Sequence, residues 1–303
     1  MNKNKVVMAA IVLLAATSCS HENELTVDNQ GDEQQTSLAP VTVKVSDFSV
    51  STEDFSGGNT RAVESPASYK NVKALTLAFY TSDGTKQAYC STQLKADNST
   101  YTTFGNFSLT LPVGSYKMIV LGYNSDVPVV FNSMSSVSFA EGKSREMFCN
   151  TQDVVISSQT PVDLTATLNR IVTKLNVQSS DNLIAEVKKI RISLSKGGDA
   201  FNPLTGFATS DAGYVSVVTV TSTVGEPTLC SVNFFLSQES ETMNVTIETL
   251  DESDNVLFSK VVENVPFKRN RITRLTGAMY EFGAAVGAFS LETDWSDPYE
   301  ESF

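Results

Sequence analysis

The run Val41-Thr42-Val43-Lys44-Val45-Ser46-Asp47-Phe48-Ser49-Val50 puts an apolar residue at every second position, slips by one near Ser46–Asp47, and then resumes. A period of two sends alternate side chains to opposite faces, so the run reads as a strand with one buried face. The slip reads as a β-bulge. The same period continues outward along the chain. Leu75, Leu77 and Phe79 alternate before an Asp83-Gly84 turn, and Phe107, Leu109 and Leu111 alternate before Pro112 and Gly114. Tyr116, Met118 and Val120 follow with Ile119 and Leu121 on the opposite face, the pattern of a strand buried on both sides. Further strands read at Leu164/Ala166/Leu168, Ile190/Ile192/Leu194 (ending at Lys196-Gly197-Gly198) and Val232/Phe234/Leu236. Val245 and Ile247 lead into an Asp251-Glu252-Ser253-Asp254-Asn255 hairpin turn, with a return through Val256 and Phe258. Phe289, Leu291, Thr293 and Trp295 close the series, and residues 181–189 are the one stretch that suits a helical turn. The fold class expected is all-β: two tandem antiparallel β-sandwich domains, 41–158 and 159–303, meeting in the polar stretch around 150–162.

Composition narrows the chemistry. The chain has 303 residues, Lys+Arg 22 against Asp+Glu 34, and a formal net charge of −12, a balance opposed to general binding of nucleic-acid backbones. Hydrophobic residues at 41% and charged residues at 18% describe a chain able to fold. Its one histidine, His21, lies in a polar stretch. That removes Ser-His-Asp and Cys-His nucleophilic sites and multi-histidine zinc sites.

The N-terminus has the zones of an export signal. Lys3 and Lys5 precede an unbroken apolar run, Val6–Ala16, and small residues lead to Cys19. Ala16-Thr17-Ser18-Cys19 resembles a bacterial lipobox, with alanine in place of leucine three residues before the cysteine, so residues 1–19 are expected to be a lipoprotein signal with Cys19 as the lipidated residue. Acyl chains on Cys19 would hold the protein at a membrane. Residues 20–40 are polar, as suits a tether.

The other cysteines are Cys90, Cys149 and Cys230, with no CxxC spacing. A Cys90–Cys149 disulfide and two buried thiols are equal alternatives. The acidic group Glu248, Asp251, Glu252 and Asp254 lacks the glycine and the twelfth-position glutamate of a calcium loop, and reads as a hairpin tip. The basic group Lys268-Arg269-Asn270-Arg271 with Arg274 reads as an exposed strand face. No catalytic, cofactor or metal residues are assigned, and no cofactor is expected. A glycosidase-type carboxylate pair has no residues to single it out.

A set of modest motifs carries a family resemblance. They are the Cys19 start, Thr60-Arg61-Ala62 after the first strand, Leu111-Pro112-Val113-Gly114-Ser115-Tyr116, Leu168-Asn169-Arg170-Ile171-Val172-Thr173-Lys174-Leu175, Val265-Pro266-Phe267-Lys268-Arg269-Asn270-Arg271 and Thr293-Asp294-Trp295. With these the chain resembles the Bacteroidetes-type fimbrillins, the subunits of type V pili and the related fimbrial anchor lipoproteins. The resemblance implies transthyretin-like sandwiches and a structural, non-enzymatic subunit of a cell-surface fimbria at the outer membrane, supporting adhesion. It also implies lipidation at Cys19, proteolytic processing between Arg61 and Ala62, removal of a first strand spanning 41–61, and polymerisation by donor-strand exchange. Its partners would be other fimbrial subunits, the outer membrane through the Cys19 lipid, and a ligand on a host or bacterial surface, with no nucleic acid. Two alternatives stand beside it: a membrane-retained anchor never cut at Arg61, and a monomeric surface lipoprotein binding glycan or host protein.

Overall fold

The computed structural model describes residues 37–53, 59–64, 69, 71–95, 104–280 and 289–292, with the backbone alone for 49–53, 59–64 and 292. The described elements are all strands. The largest sheet has the order β2 (Asn59–Glu64), β1 (Leu38–Glu53), β10 (Val162–Arg170), β9 (Met147–Ile156), β6 (Gly114–Tyr123), β3 (Ala74–Thr81), β4 (Gln87–Leu94), with β5 (Asn106–Pro112) also paired to β1. Between β10 and β9 the ladder shrinks to two residue pairs, Asn169↔Cys149 and Arg170↔Phe148. The sheet bends there. Its two arms, β1–β5–β10 and β9–β6–β3–β4, enclose one core that includes Val41, Val43, Phe48, Leu77, Met118, Phe148 and Leu168.

A second core lies between two four-stranded sheets, one ordered β16 (Leu229–Phe234), β11 (Thr173–Ser179), β19 (Ile272–Gly277), β20 (Ser290–Glu292), the other β15 (Tyr214–Thr219), β12 (Lys189–Leu194), β17 (Ser240–Leu250), β18 (Val256–Lys268). Leu175, Val177, Val232 and Phe234 meet Ile190, Ile192, Val245 and Ile247 there. The fourth sheet, β14 (Phe207–Ala208), β13 (Ala200–Asn202), β8 (Ser136–Phe139), β7 (Val129–Ser133), draws on both halves of the chain. It covers the outer face of β3, β6 and β9 through a third core containing Ile119, Leu121, Tyr123, Val137, Phe139 and Phe201. This explains the doubly apolar β6. Tyr116, Met118 and Val120 enter the first core, and Ile119, Leu121 and Tyr123 enter the third.

Several expected features appear at their residues. The register of β1 shifts between Val45 and Asp47, which is the bulge read from the slip. Gly84 has φ 74° in the turn after β3, and Asp251 accepts hydrogen bonds from the Ser253 and Asn255 backbones in the tip between β17 and β18. Other features differ. The pairings β1–β10 and β11–β19 are parallel, because the partners lie far apart in the chain and long crossovers connect them. Residues 162–170, expected in the second domain, form β10 in the first sheet, where Ala166 and Leu168 are buried. The polar stretch before them is a surface connection. Residues 181–189 hold a turn closed by Val187 N–H to Ile184 O (3.3 Å), with Leu183 and Val187 buried in the second core. Their four-residue spacing reflects two anchors of a loop. Cys19, the tether up to residue 36, and Thr293 and Trp295 lie outside the described residues.

Candidate functional site

Strand β1 is wedged between two strands that do not pair with one another. Leu38–Lys44 pair antiparallel with Pro112–Asn106 of β5, and Val41–Ser49 pair parallel with Val162–Asn169 of β10. Among the described residues, β5 pairs with β1 alone, and β10 has besides it only the two-pair contact with β9. Ala39, Val41, Val43, Val45 and Phe48 all point into the first core and are at most 3% exposed. Burying each such side chain contributes roughly 1.5–3 kcal/mol for the larger residues. Taking β1 away would therefore open an apolar groove flanked by two rows of unpaired backbone groups.

The deepest seat in that groove belongs to Phe48. Its ring lies 5.0 Å from Phe148 in an edge contact and 5.5 Å from Tyr69. Gly122 of β6 completes the seat, since a Cβ there would stand 2.7 Å from Phe48 Cε1. Arg170 stacks over the far side of Phe148, 4.9 Å from the ring centroid. Its guanidinium pairs with Glu146 at 2.7 Å and donates to Tyr69 Oη (2.9 Å) and to Asn270 Oδ1 (3.0 Å). Tyr69 in turn donates to Glu146 Oε1. Two of the motifs, Asn169-Arg170-Ile171 and Arg269-Asn270-Arg271, thus meet at one buried cation.

Arg61 and Ala62, the expected processing step, lie inside β2, with Arg61 opposite Ser51 and Ala62 opposite Val50. Asn59 and Thr60, whose composition suits a loop, also belong to β2. Past Lys44 the β5 edge ends, and β2 folds back to satisfy the open backbone of β1 from Phe48 onward. Cys149 and Cys230 carry free, buried thiols, so the Cys90–Cys149 disulfide is not formed. Burial pushes both thiols up to about 12, which leaves them unreactive at neutral pH. Among the described residues no cluster of three or more His, Cys, Asp or Glu side chains could hold a metal.

The basic group is only partly on strands: Lys268 ends β18 and Arg274 lies in β19, while Arg269–Arg271 form the turn between them, with Asn270 at φ 59°. The side chains of Lys268–Arg271 are half-buried. They line a cleft of about 510 Å³ whose other walls include Asn150, Thr151, Pro203 and Leu204. Arg269 is fixed by Glu239 (2.7 Å) and lies over the Phe207 ring at 4.7 Å. Composition does not reveal this cleft, because it assembles from five separate segments.

No curated protein matches the chain. Among solved structures it is similar to a candidate adhesin from Bacteroides ovatus, at 13% identity and a TM-score of 0.51, covering 84% of this chain and 94% of that one. It is also similar to the fimbrial anchor protein Mfa2 from Porphyromonas gingivalis, at 14% identity and TM-score 0.45 over 84% and 98% of the two chains. A fimbrial assembly protein from Parabacteroides distasonis gives 12% identity and TM-score 0.40 over 84% and 96%. At 13% identity the likeness to the B. ovatus structure is one of fold. The family assignment comes from sequence: matched by the family model over residues 36–301, the chain belongs to DUF6562, a family of unknown function.

Proposed function

We propose that the chain is a structural, non-enzymatic subunit of a cell-surface fimbria, built from two tandem transthyretin-type sandwiches that meet near residue 170. It is exported as a lipoprotein on Cys19 and assembled by donor-strand exchange after cleavage at Arg61, and it supports adhesion. The observation that carries this reading is the position of β1, an N-terminal strand wedged between β5 and β10 and attached to the rest of the chain only through the β2 hairpin. One cut at Arg61 would turn that covalent strand into an exchangeable one. The adhesin description of the similar B. ovatus structure agrees with the reading.

The incoming strand would come from a neighbouring subunit. A neighbour's C-terminal segment, where Phe289 and Leu291 alternate, would first have to leave β19, with which Ser290–Glu292 pair. Arg61→Ala should leave folded, lipidated monomers at the membrane and no filaments. Filaments of normal length from that variant would exclude cleavage at Arg61 as the trigger. Cys19→Ala should abolish labelling by a palmitate analogue, and unchanged labelling would refute lipidation there.

The anchor reading has its own support. Arg61 is paired within β2, and a paired strand resists a protease that needs it lifted from the sheet. The N-terminus of the protein recovered from filaments separates the two readings: Ala62 for a processed subunit, lipidated Cys19 for an anchor.

A further inference from the structure

We infer that two copies of the chain join edge to edge through β15, the two strands pairing antiparallel about a twofold axis at Val217. This inference goes beyond the fimbrial reading and is independent of it, since it involves neither β1 nor the step at Arg61. β15 ends its sheet, with β12 on one side and, among the described residues, no strand paired on the other. Along such a strand the backbone groups turn alternately to the two sides. Val220 N donates to Lys188 O at the end of the β12 ladder, so Val218 and Ser216 also turn theirs to β12. Val215, Val217 and Thr219 therefore turn theirs to the open edge. Ser195 N, which donates to Asn244 O on the β17 side, fixes the same phase from β12.

An open sheet edge recruits another strand unless something blunts it. The far edge of this sheet is blunted. β18 carries Lys260, Glu263, Pro266 and Lys268, and its ladder is broken by a bulge where Asn264 takes φ 57°. β15 has none of these. Residues Tyr214–Val224 contain no charge and no proline and are mostly valine and threonine, the residues that favour pairing. Val215 and Val217 stand 56% and 39% exposed on the outer face.

Charge and symmetry select a second copy as the occupant. With a formal net charge of −12, two copies repel one another wherever acidic surfaces meet. At β15 that repulsion is weakest. The strand is uncharged, and the ions beside it on β12 are matched within the chain, Arg191 with Glu248 at 2.6 Å and Lys189 with Asp254 at 2.7 Å. Setting Val217 opposite Val217 of the partner subunit places Val215 opposite Thr219 of the partner subunit, and the reverse. The open backbone groups then complement one another, and each cross-strand pair on the outer face is β-branched.

The test uses the mature chain, residues 19–303, carrying C19A and R61A, in which neither lipid nor strand exchange can contribute. Sedimentation velocity should show a monomer–dimer equilibrium. V217K sets like charges opposite at the axis and should raise the dissociation constant at least about tenfold, with unchanged far-ultraviolet circular dichroism. V217E alone should do the same, and an equimolar mixture of the V217K and V217E chains should dimerise again. V217P removes a donor that faces the open edge and none that faces β12, and it should also abolish the dimer. A parent chain that stays monomeric at every concentration, or a dimer that V217K and V217P leave intact, would overturn the inference. Lys and Glu variants that each dissociate but do not recombine would also overturn it, since Val217 would then not lie on the axis.

Discussion

Phe48 illustrates how a single side chain depends on others distant in sequence. Its seat is built from Tyr69, Gly122 and Phe148, and Arg170 backs that seat from behind. Phe48→Ala should destabilise the first core by about 3–5 kcal/mol, measured as a fall in the urea midpoint. Gly122→Ala brings a methyl group to within 2.7 Å of Phe48 Cε1, and overpacking of that kind costs about 1–3 kcal/mol. Adding Phe48→Leu should recover part of the loss. Arg170 is a stricter case, because its side chain is 7% exposed and its partner Glu146 17%. Arg170→Met leaves that carboxylate without its cation and should cost about 3–5 kcal/mol, whereas adding Glu146→Gln should restore much of it. Thermal melts of the two single variants and the double variant test the coupling. In the sequence Arg170 stood out as part of a motif and no more, since its partners Tyr69, Glu146 and Asn270 are scattered over some two hundred positions.

At the scale of elements, β1 and β2 act as a pair. Proline lacks a backbone donor, so Ser51→Pro, opposite Arg61, should loosen β2 and speed trypsin cleavage at Arg61 several-fold while the first core remains folded. An unchanged cleavage rate would show that β2 does not shield the bond. The β17–β18 hairpin makes a different prediction. Asp251 accepts from the Asn255 side chain and from the Asn255 and Ser253 backbones, and these bonds hold its carboxyl below the usual range. A folded value below the unfolded one, about 3.9, means the tip is stabilised above that pH and loses the stabilisation as pH falls through the folded value. Amide shifts of Ser253 and Asn255 should therefore titrate in acid, and Asp251→Asn should abolish that titration. Much of this scale was legible in advance: the slip at Ser46–Asp47 is the β1 bulge, and Asp251–Asn255 is a hairpin tip. The β2 pairing was not, since Asn59-Thr60-Arg61 has loop composition and is held in a strand by the open edge of β1.

For the whole molecule the decisive feature is the shared sheet. β8 from the first half pairs with β13 from the second, and Phe201 of β13 stacks on Phe235 at 4.6 Å. The two larger cores are therefore joined through a third, and calorimetry should record one cooperative transition. Phe201→Ala should split it into two, and a single broadened transition in that variant would show that other contacts couple the halves. A topological echo accompanies this link. β1 lies between an antiparallel β5 and a parallel β10, just as β11 lies between an antiparallel β16 and a parallel β19.

The sequence by itself determined the all-β class and most strand positions, because side-chain alternation on a pleated ribbon is a local property. Val41 to Phe48 declare their inward face without reference to any partner. Its charge and single histidine also disfavoured the commoner site chemistries at that level. Tertiary structure alone decided that β10 belongs with the first core, that Arg61 is paired, that Cys149 is a free thiol, and that Lys268–Arg271 line a cleft. Each of these depends on which distant strand satisfies a given backbone edge or covers a given face. Hydrogen bonding and burial settle that choice over the whole chain, and a period of two looks the same whichever partner is chosen.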